Sequence, residues 1–390
     1  MIGVPIIAIT EIISDMRGLI LRPRSCLWLA LTLLAASPAA QALDPRVSLH
    51  DYQHDTWRRK DGAPGSITSL AQSSDGWLWI GTDHGLYRFD GLSFQRFQSP
   101  TGQRLLSARI STLTGKANGD LLVGYLDGGV NLIRHGDIVP LPAWNAARVD
   151  MVFDIAADQD EVWICTNSGL VRYAKGSWQQ IGDGWGLPKR TVEEATLDQY
   201  GQLWVVSGDE WFKLDRAARR FRPTGRAGEA GAFFAPDGGM WRRSGNRIER
   251  VPSGYQGAPL PRLETNRHLF RQTHDLFDAD GNLWLLRAPN GIARIRKQDL
   301  PASASFDPST LPAERLDQAW QLSNPQIIGM LEDREGNIWA MSTSGLERFR
   351  NRRIRTVALP DGADIASVAA DGQGQVWAGA ANLDGLWAIG

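Results

Sequence analysis

Cysteine is almost absent from this chain. Two occur in 390 residues, Cys26 and Cys165. That excludes the disulfide framework that staples small exported domains, so a packed core must hold the fold. An excess of either charge is lacking too. The formal net charge is −1, which excludes a global pull toward nucleic acid or an acidic membrane surface. Lysine is scarce, six against 36 arginines, a bias that fits a GC-rich genome better than a binding surface. The histidines His50, His54, His84, His135, His268 and His274 have no compact zinc spacing. There is no P-loop and no G-x-S-x-G elbow. No catalytic residue, metal or cofactor is expected.

Long apolar runs are also missing. The longest, Leu27–Ala36, is half of the roughly twenty residues that a membrane-spanning helix needs. It sits inside a different pattern, from Met16 to Ala42: a basic start, the apolar stretch, then Ala40-Gln41-Ala42 as a small-x-small end. This reads as a signal peptide cut before Leu43, with Met16 as the true start because Glu11 and Asp15 suit such a peptide poorly. An N-terminal membrane anchor is the alternative. Once Cys26 leaves with the leader, only Cys165 remains, in the strand-like run VWICTNSGL, where burial is expected rather than reactivity.

What the chain has in quantity is glycine and tryptophan, 41 and 16 residues, and they recur together. DGWLWIGTDHGLYRFD, QDEVWICTNSGLVRYA, DGNLWLLRAPNGIARI and EGNIWAMSTSGLERFR are copies of one unit. Eight copies align on Trp79, Leu122, Trp163, Trp204, Trp241, Trp284, Trp339 and Trp377, at spacings of 43, 41, 41, 37, 43, 55 and 38 residues. Within the first copy, Ser66–Ser73 alternates, Trp77–Thr82 is dense in β-formers, and Asp75-Gly76, Asp83–Gly85 and Asp90-Gly91 mark three turns. Four antiparallel strands per period of about 40 residues predict an all-β fold, a β-propeller of four-stranded blades, over a solenoid of hairpins. The aligned aromatic is the expected wedge between blades, and Gly81 is expected to relieve crowding beside it.

The segments His54–Gly91 and Ile327–Arg350 resemble the two-component regulator propeller family, and the resemblance extends over about residues 50–390. It implies two consecutive seven-bladed propellers in the periplasm that sense an extracytoplasmic ligand, with a carbohydrate as the candidate class. A transmembrane helix and an output module, usually a histidine kinase and sometimes a diguanylate cyclase, would follow. A homodimer in the intact sensor is compatible with it. The chain departs from that pattern by stopping at residue 390 in the third strand of its eighth copy, with no kinase, nucleotide-binding or GGDEF-type motif. The expected organisation is a signal peptide at 1–42, a seven-bladed propeller at 43–350 and an incomplete blade of a second propeller at 351–390, with eight blades as the alternative. His50–Trp57 is expected to close the ring as the outer strand of the last blade. Lys297–Asp317, rich in Pro, Ser and Ala, is expected to be a surface loop.

Three features carry the remaining site expectations. Residues 213–300 hold 17 basic and 9 acidic side chains, so Arg242–Arg250 and Arg294–Lys297 form a candidate anion patch, with exposed-edge arginines as the alternative. Trp144, Trp185 and Trp211 lie outside the aligned position and could stack on sugars, although packing suits each. DADGN (278–282) and DREGN (333–337) resemble fragments of calcium loops without the terminal Glu. Two other functions stay open. One is a stand-alone binding or scaffold propeller. The other is an enzyme resembling streptogramin lyase, in which His135 or His274 would point into a channel.

Overall fold

The computed structural model describes residues 43–389 apart from 45, 117, 143–149, 228–230, 253–274, 287–290, 318–321, 325, 353–360, 363, 365 and 373–374. Among the described residues the strands form eight antiparallel sheets, seven of four strands and one of three. Blade 1 is representative: Ile67–Gln72, Leu78–Thr82, Gly85–Phe89 and Phe94–Arg96 follow one another outward. Blades 2, 3 and 4 repeat this order from Ile110, Val152 and Glu194. The second strand of blades 1 to 4 is buried on both faces, which is why Leu78–Thr82 and these copies are apolar without alternation.

The core lies between blades. Trp79 of blade 1 packs with Ile110 and Leu113 of blade 2, and Leu122 of blade 2 with Val152 and Ile155 of blade 3. Trp163 meets Val205 and Phe212 of blade 4, and Trp204 meets Phe234 and Met240 of blade 5. Trp241 packs on Leu283 and Leu285 of blade 6, and Trp284 on Met330 and Ile338 of blade 7. Trp339 then packs on Leu70 and Ile80 of blade 1, and the circle is complete. Each aligned residue thus fills the joint to the following blade. Gly81 and Gly124, two residues after their anchors, stand where a Cβ would collide with Ile110 and Val152 of the next blade, at 2.7 Å in both cases.

Blade 7 takes its outer strand from the start of the chain. Gln53–Arg58 pairs antiparallel with Gly345–Arg350, which follows Ile327–Glu332 and Ile338–Ser342. Gly345 is required there because a Cβ would sit 2.4 Å from the Trp57 carbonyl. Ahead of this strand, Leu43, Leu49 and Tyr52 are buried in the joint between blades 6 and 7.

Lys297–Asp317 is not a surface loop. Ser305–Phe306 leaves blade 6 and pairs with Arg247–Arg250 as the outer strand of blade 5, and Glu314–Leu316 returns as the outer strand of blade 6. Phe306 is buried against Trp241 and Ile248, and Leu316 in the joint of blades 6 and 7, so this Pro-rich run is held by two buried apolar residues and five strand positions. The eighth sheet, Ala366–Ala370, Val376–Ala380 and Leu383–Ile389, has no outer strand among the described residues. Its Trp377 is 37% exposed, and Val368 and Leu386 are 69% exposed, whereas the other seven anchors are buried.

Candidate functional site

The anchors are built the same way from below. In the hairpins before five of the tryptophan anchors, a residue six positions upstream receives the indole N–H. Asp198 Oδ2 accepts from Trp204 Nε1 at 2.9 Å, Asp278 Oδ2 from Trp284 at 2.8 Å, and Asp333 Oδ2 from Trp339 at 2.7 Å. Ser73 Oγ does so for Trp79 at 2.8 Å. The upstream residue is Ala157 for Trp163 and Ala235 for Trp241, and those two indole N–H groups find no acceptor. The same carboxylates also cap their turns: Asp278 Oδ1 accepts from the Asp280 and Asn282 amides, and Asp333 Oδ1 from Glu335 and Asn337. DADGN and DREGN are therefore hairpin turns whose carboxylate oxygens are occupied. Desolvation on burial pushes the Asp278 and Asp333 carboxyls above the ordinary range.

Directly across the sheet from each of the six anchor tryptophans of the closed ring, the third strand carries a cation, whereas Trp377 faces Ala388. The pairs are Trp79 and Arg88, Trp163 and Arg172, Trp204 and Lys213, Trp241 and Arg250, Trp284 and Arg294, Trp339 and Arg348. Five of these cations lie 5.1 to 5.9 Å from the centre of their partner's ring, within cation–π range. In blade 2 the anchor is Leu122 and the residue opposite is Leu132. Five of the six pairs have the spacing W-x8-R/K, and Trp284–Arg294 has one residue more, a signal legible in the sequence.

This pairing accounts for much of the basic patch. Arg250 lies over Trp241 and bonds Asp237 at 2.7 Å. Arg242 pairs with Glu249 and Arg243 with Asp275. Arg294 is fully buried between Trp284, Tyr52 and Glu314, and Arg296 shares Glu314. Burial, against the weaker opposing pull of Arg294, raises the Tyr52 phenol to about 12. Asp237, Glu249 and Asp275 lie within residues 213–300 and are already in the count, so these arginines are paired while the segment keeps a positive excess.

The other expected residues fall apart in space. His135 has φ +49° in the tight turn Arg134–Asp137 at the outer edge of blade 2 and is exposed, so it does not face a channel. A left-handed pair of residues also turns the chain at Lys175-Gly176, whereas in the Ser73–Gly76 turn only Gly76 (φ +90°) adopts it, and Asp75 does not. His54 is in the closing strand against Glu347, and His84 is an exposed turn residue beside Asp83. His268, His274 and Trp144 lie outside the described residues. Trp211 and Cys165 are buried. Trp185 packs edge-on against Trp163, 6.2 Å between ring centres, and is not a free platform.

A cleft of about 250 Å³ lies between blades 4 and 5. Its walls are the turn Asp198–Tyr200 with Trp204, the Gly238-Gly239 turn, Arg250 to Pro252, and Ala304 from the exchanged strand segment. It offers a phenol, an amide, a guanidinium and apolar ring edges. A few polar groups set among apolar walls are the make-up of small-molecule clefts in general.

A sequence profile described as Two component regulator propeller matches residues 61–84, the hairpin of blade 1. Over that hairpin the chain is similar to the repeat of two-component regulator propellers. In fold, the chain is similar to the extracellular domain assigned to the hybrid two component system BT3049 from B. thetaiotaomicron. The TM-score is 0.60 at 18% identity, over 84% of this chain and 47% of that one. The extracellular domain of the one component system BT4673 from B. thetaiotaomicron gives 0.58 at 20%, over 86% and 46%. The chain therefore spans about half the length of those regulator propellers. A streptogramin B lyase matches with TM-score 0.56 at 15% identity, over 78% of this chain and 99% of that one. None of the curated proteins matches the sequence.

Proposed function

We propose that this chain is the ligand-sensing propeller of a two-component sensor, exported to the periplasm by the Met16–Ala42 leader, and non-catalytic. The eighth sheet would begin a second propeller, and the membrane helix and kinase would belong to the intact sensor. The observation that carries the reading is the regulator-propeller repeat continuing beyond a closed ring, into a sheet whose Trp377 lacks the cover its seven counterparts have. Likeness to extracellular domains of regulator systems supports the same side of the membrane. No helix among the described residues is long and apolar enough to cross a membrane.

The ligand class we assign is a small carbohydrate, held in the cleft between blades 4 and 5. Screening purified chain against a panel of neutral and uronate oligosaccharides by thermal shift tests this. At least one sugar is expected to raise the melting temperature, and Tyr200→Ala with Gln199→Ala to abolish the shift. A shift retained in that double variant places the ligand elsewhere. A panel with no shift, or any sugar consumed with product formed, overturns the sensor reading.

A further inference from the structure

The last residue of the innermost strand performs one task at two neighbouring joints. In blade 1 that residue is Gln72. Its Oε1 accepts the Arg334 amide of the blade 7 turn at 2.8 Å, and its Nε2 donates to Glu335 Oε2 at 3.1 Å. In blade 7 the same position is Glu332, whose Oε1 accepts the Ala279 amide of the blade 6 turn at 3.0 Å. Glu332 is 7% exposed. A neutral amide and a buried carboxyl thus occupy equivalent seats and accept equivalent turn amides, and a protonated carboxyl does so, like the amide, without placing a charge in the joint.

The groups around Glu332 oppose its ionisation. Asp278 and Asp280 face it from the blade 6 turn and Asp333 from its own turn. Glu335 adds negative charge beside Asp333, and Asp44 of the N-terminal segment beside Asp280. The cations of this part of blade 6 are engaged with other groups. Lys297 acts on Asp280, and Arg294 is already bonded to Glu314, Tyr52 and the Val47 carbonyl.

We propose that the joint between blades 6 and 7 is a proton-operated latch, closed when Glu332 carries a proton and loosened when it releases that proton to solvent. Burial is the main cause that lifts the Glu332 carboxyl to about 8, with Asp278, Asp333 and Asp280 adding to it and the Ala279 amide opposing. The sign follows. A carboxyl that is harder to ionise folded than unfolded binds more protons in the native state, so its contribution to stability falls as pH rises from the ordinary carboxylate range to about 8. The N-terminal residues Leu43, Leu49 and Tyr52 seat in this same joint, so loosening it frees them as well.

The test is thermal unfolding of the purified chain from pH 5.5 to 9, in wild type, Glu332→Gln and Gln72→Glu. Relative to Glu332→Gln, the wild type should lose up to about tenfold in its folded-to-unfolded ratio per pH unit below pH 8. Gln72→Glu, placed against Glu335, should add a second alkaline loss. Parallel pH profiles for wild type and Glu332→Gln overturn the proposal. If Glu332→Gln does not fold, amide exchange in the wild type decides. The protection factor of the Ala279 amide should fall between pH 6 and pH 9, and a constant factor overturns the latch.

Discussion

The indole of an anchor tryptophan has three demands: an apolar wedge to fill, a partner for its N–H, and a neighbour for its ring face. Five blades meet the first and last with the next blade's core and a cation within reach of the ring. The N–H is where blades differ. Asp198 serves Trp204 and also caps its own turn at the Tyr200 and Gln202 amides. Replacing it by Ala leaves a buried donor unpaired and is expected to cost about 1–3 kcal/mol. The converse change, Ala235→Asp, supplies the acceptor that Trp241 lacks and is expected to gain about 0.5–1.5 kcal/mol. Urea unfolding of both variants measures the pair. A stabilising Asp198→Ala, or a strongly destabilising Ala235→Asp, refutes this account of the recurring aspartate.

The element that decides whether the ring stays shut is the closing strand Gln53–Arg58. Its polar fastening is Glu347 on blade 7, a side chain 1% exposed. It accepts from His54 Nε2 at 2.5 Å, Thr56 Oγ1 at 2.9 Å and the Ser323 amide at 2.8 Å, and also from the Ser323 hydroxyl. Arg348 and Arg350 bind Asp55 alongside. Desolvation alone would raise the Glu347 carboxyl, but the His54, Ser323 and Thr56 bonds together hold it below its ordinary value. A depressed carboxyl contributes stability at pH above its unfolded value and loses it as pH falls through the folded one. Glu347→Gln is therefore expected to cost about 2–3 kcal/mol at pH 7 and to lose less than the wild type on acidification to pH 4. Equal losses on acidification in the two proteins would remove Glu347 from the acid limb.

On the scale of the whole molecule, stability is distributed by joints. Seven joints each hold a buried apolar cluster, and the eighth sheet's exposed Val368, Trp377 and Leu386 have no such cluster. A sheet that leaves its faces wet opens at low free-energy cost while a closed ring opens cooperatively. Hydrogen exchange is expected to show amides of Ala366–Ala370 and Val376–Ala380 exchanging at least about tenfold faster than those of Leu78–Thr82 and Ile338–Ser342. Matching protection in the two groups would mean that the eighth sheet is covered in solution.

The repeat period, the turn glycines and the wedge tryptophans are local signals, and the sequence by itself determined them. The turns and strands of a blade are set by close neighbours in the chain, and an anchor is marked by its own hairpin although the wedge it fills belongs to the next blade. Blade architecture and the crowding at Gly81 were legible for that reason, and the cations opposite the tryptophans were legible though missed. Tertiary structure alone decided what depends on residues far apart in the chain. Ser305–Phe306 returns to blade 5 after three strands of blade 6 have been laid down, Leu43 reaches the joint of blades 6 and 7, and arginines of 242–296 meet their carboxylates. It also decided that Glu332 is buried where Gln72 stands one joint away, because desolvation is a property of the closed ring and has no signature in a linear string of residues.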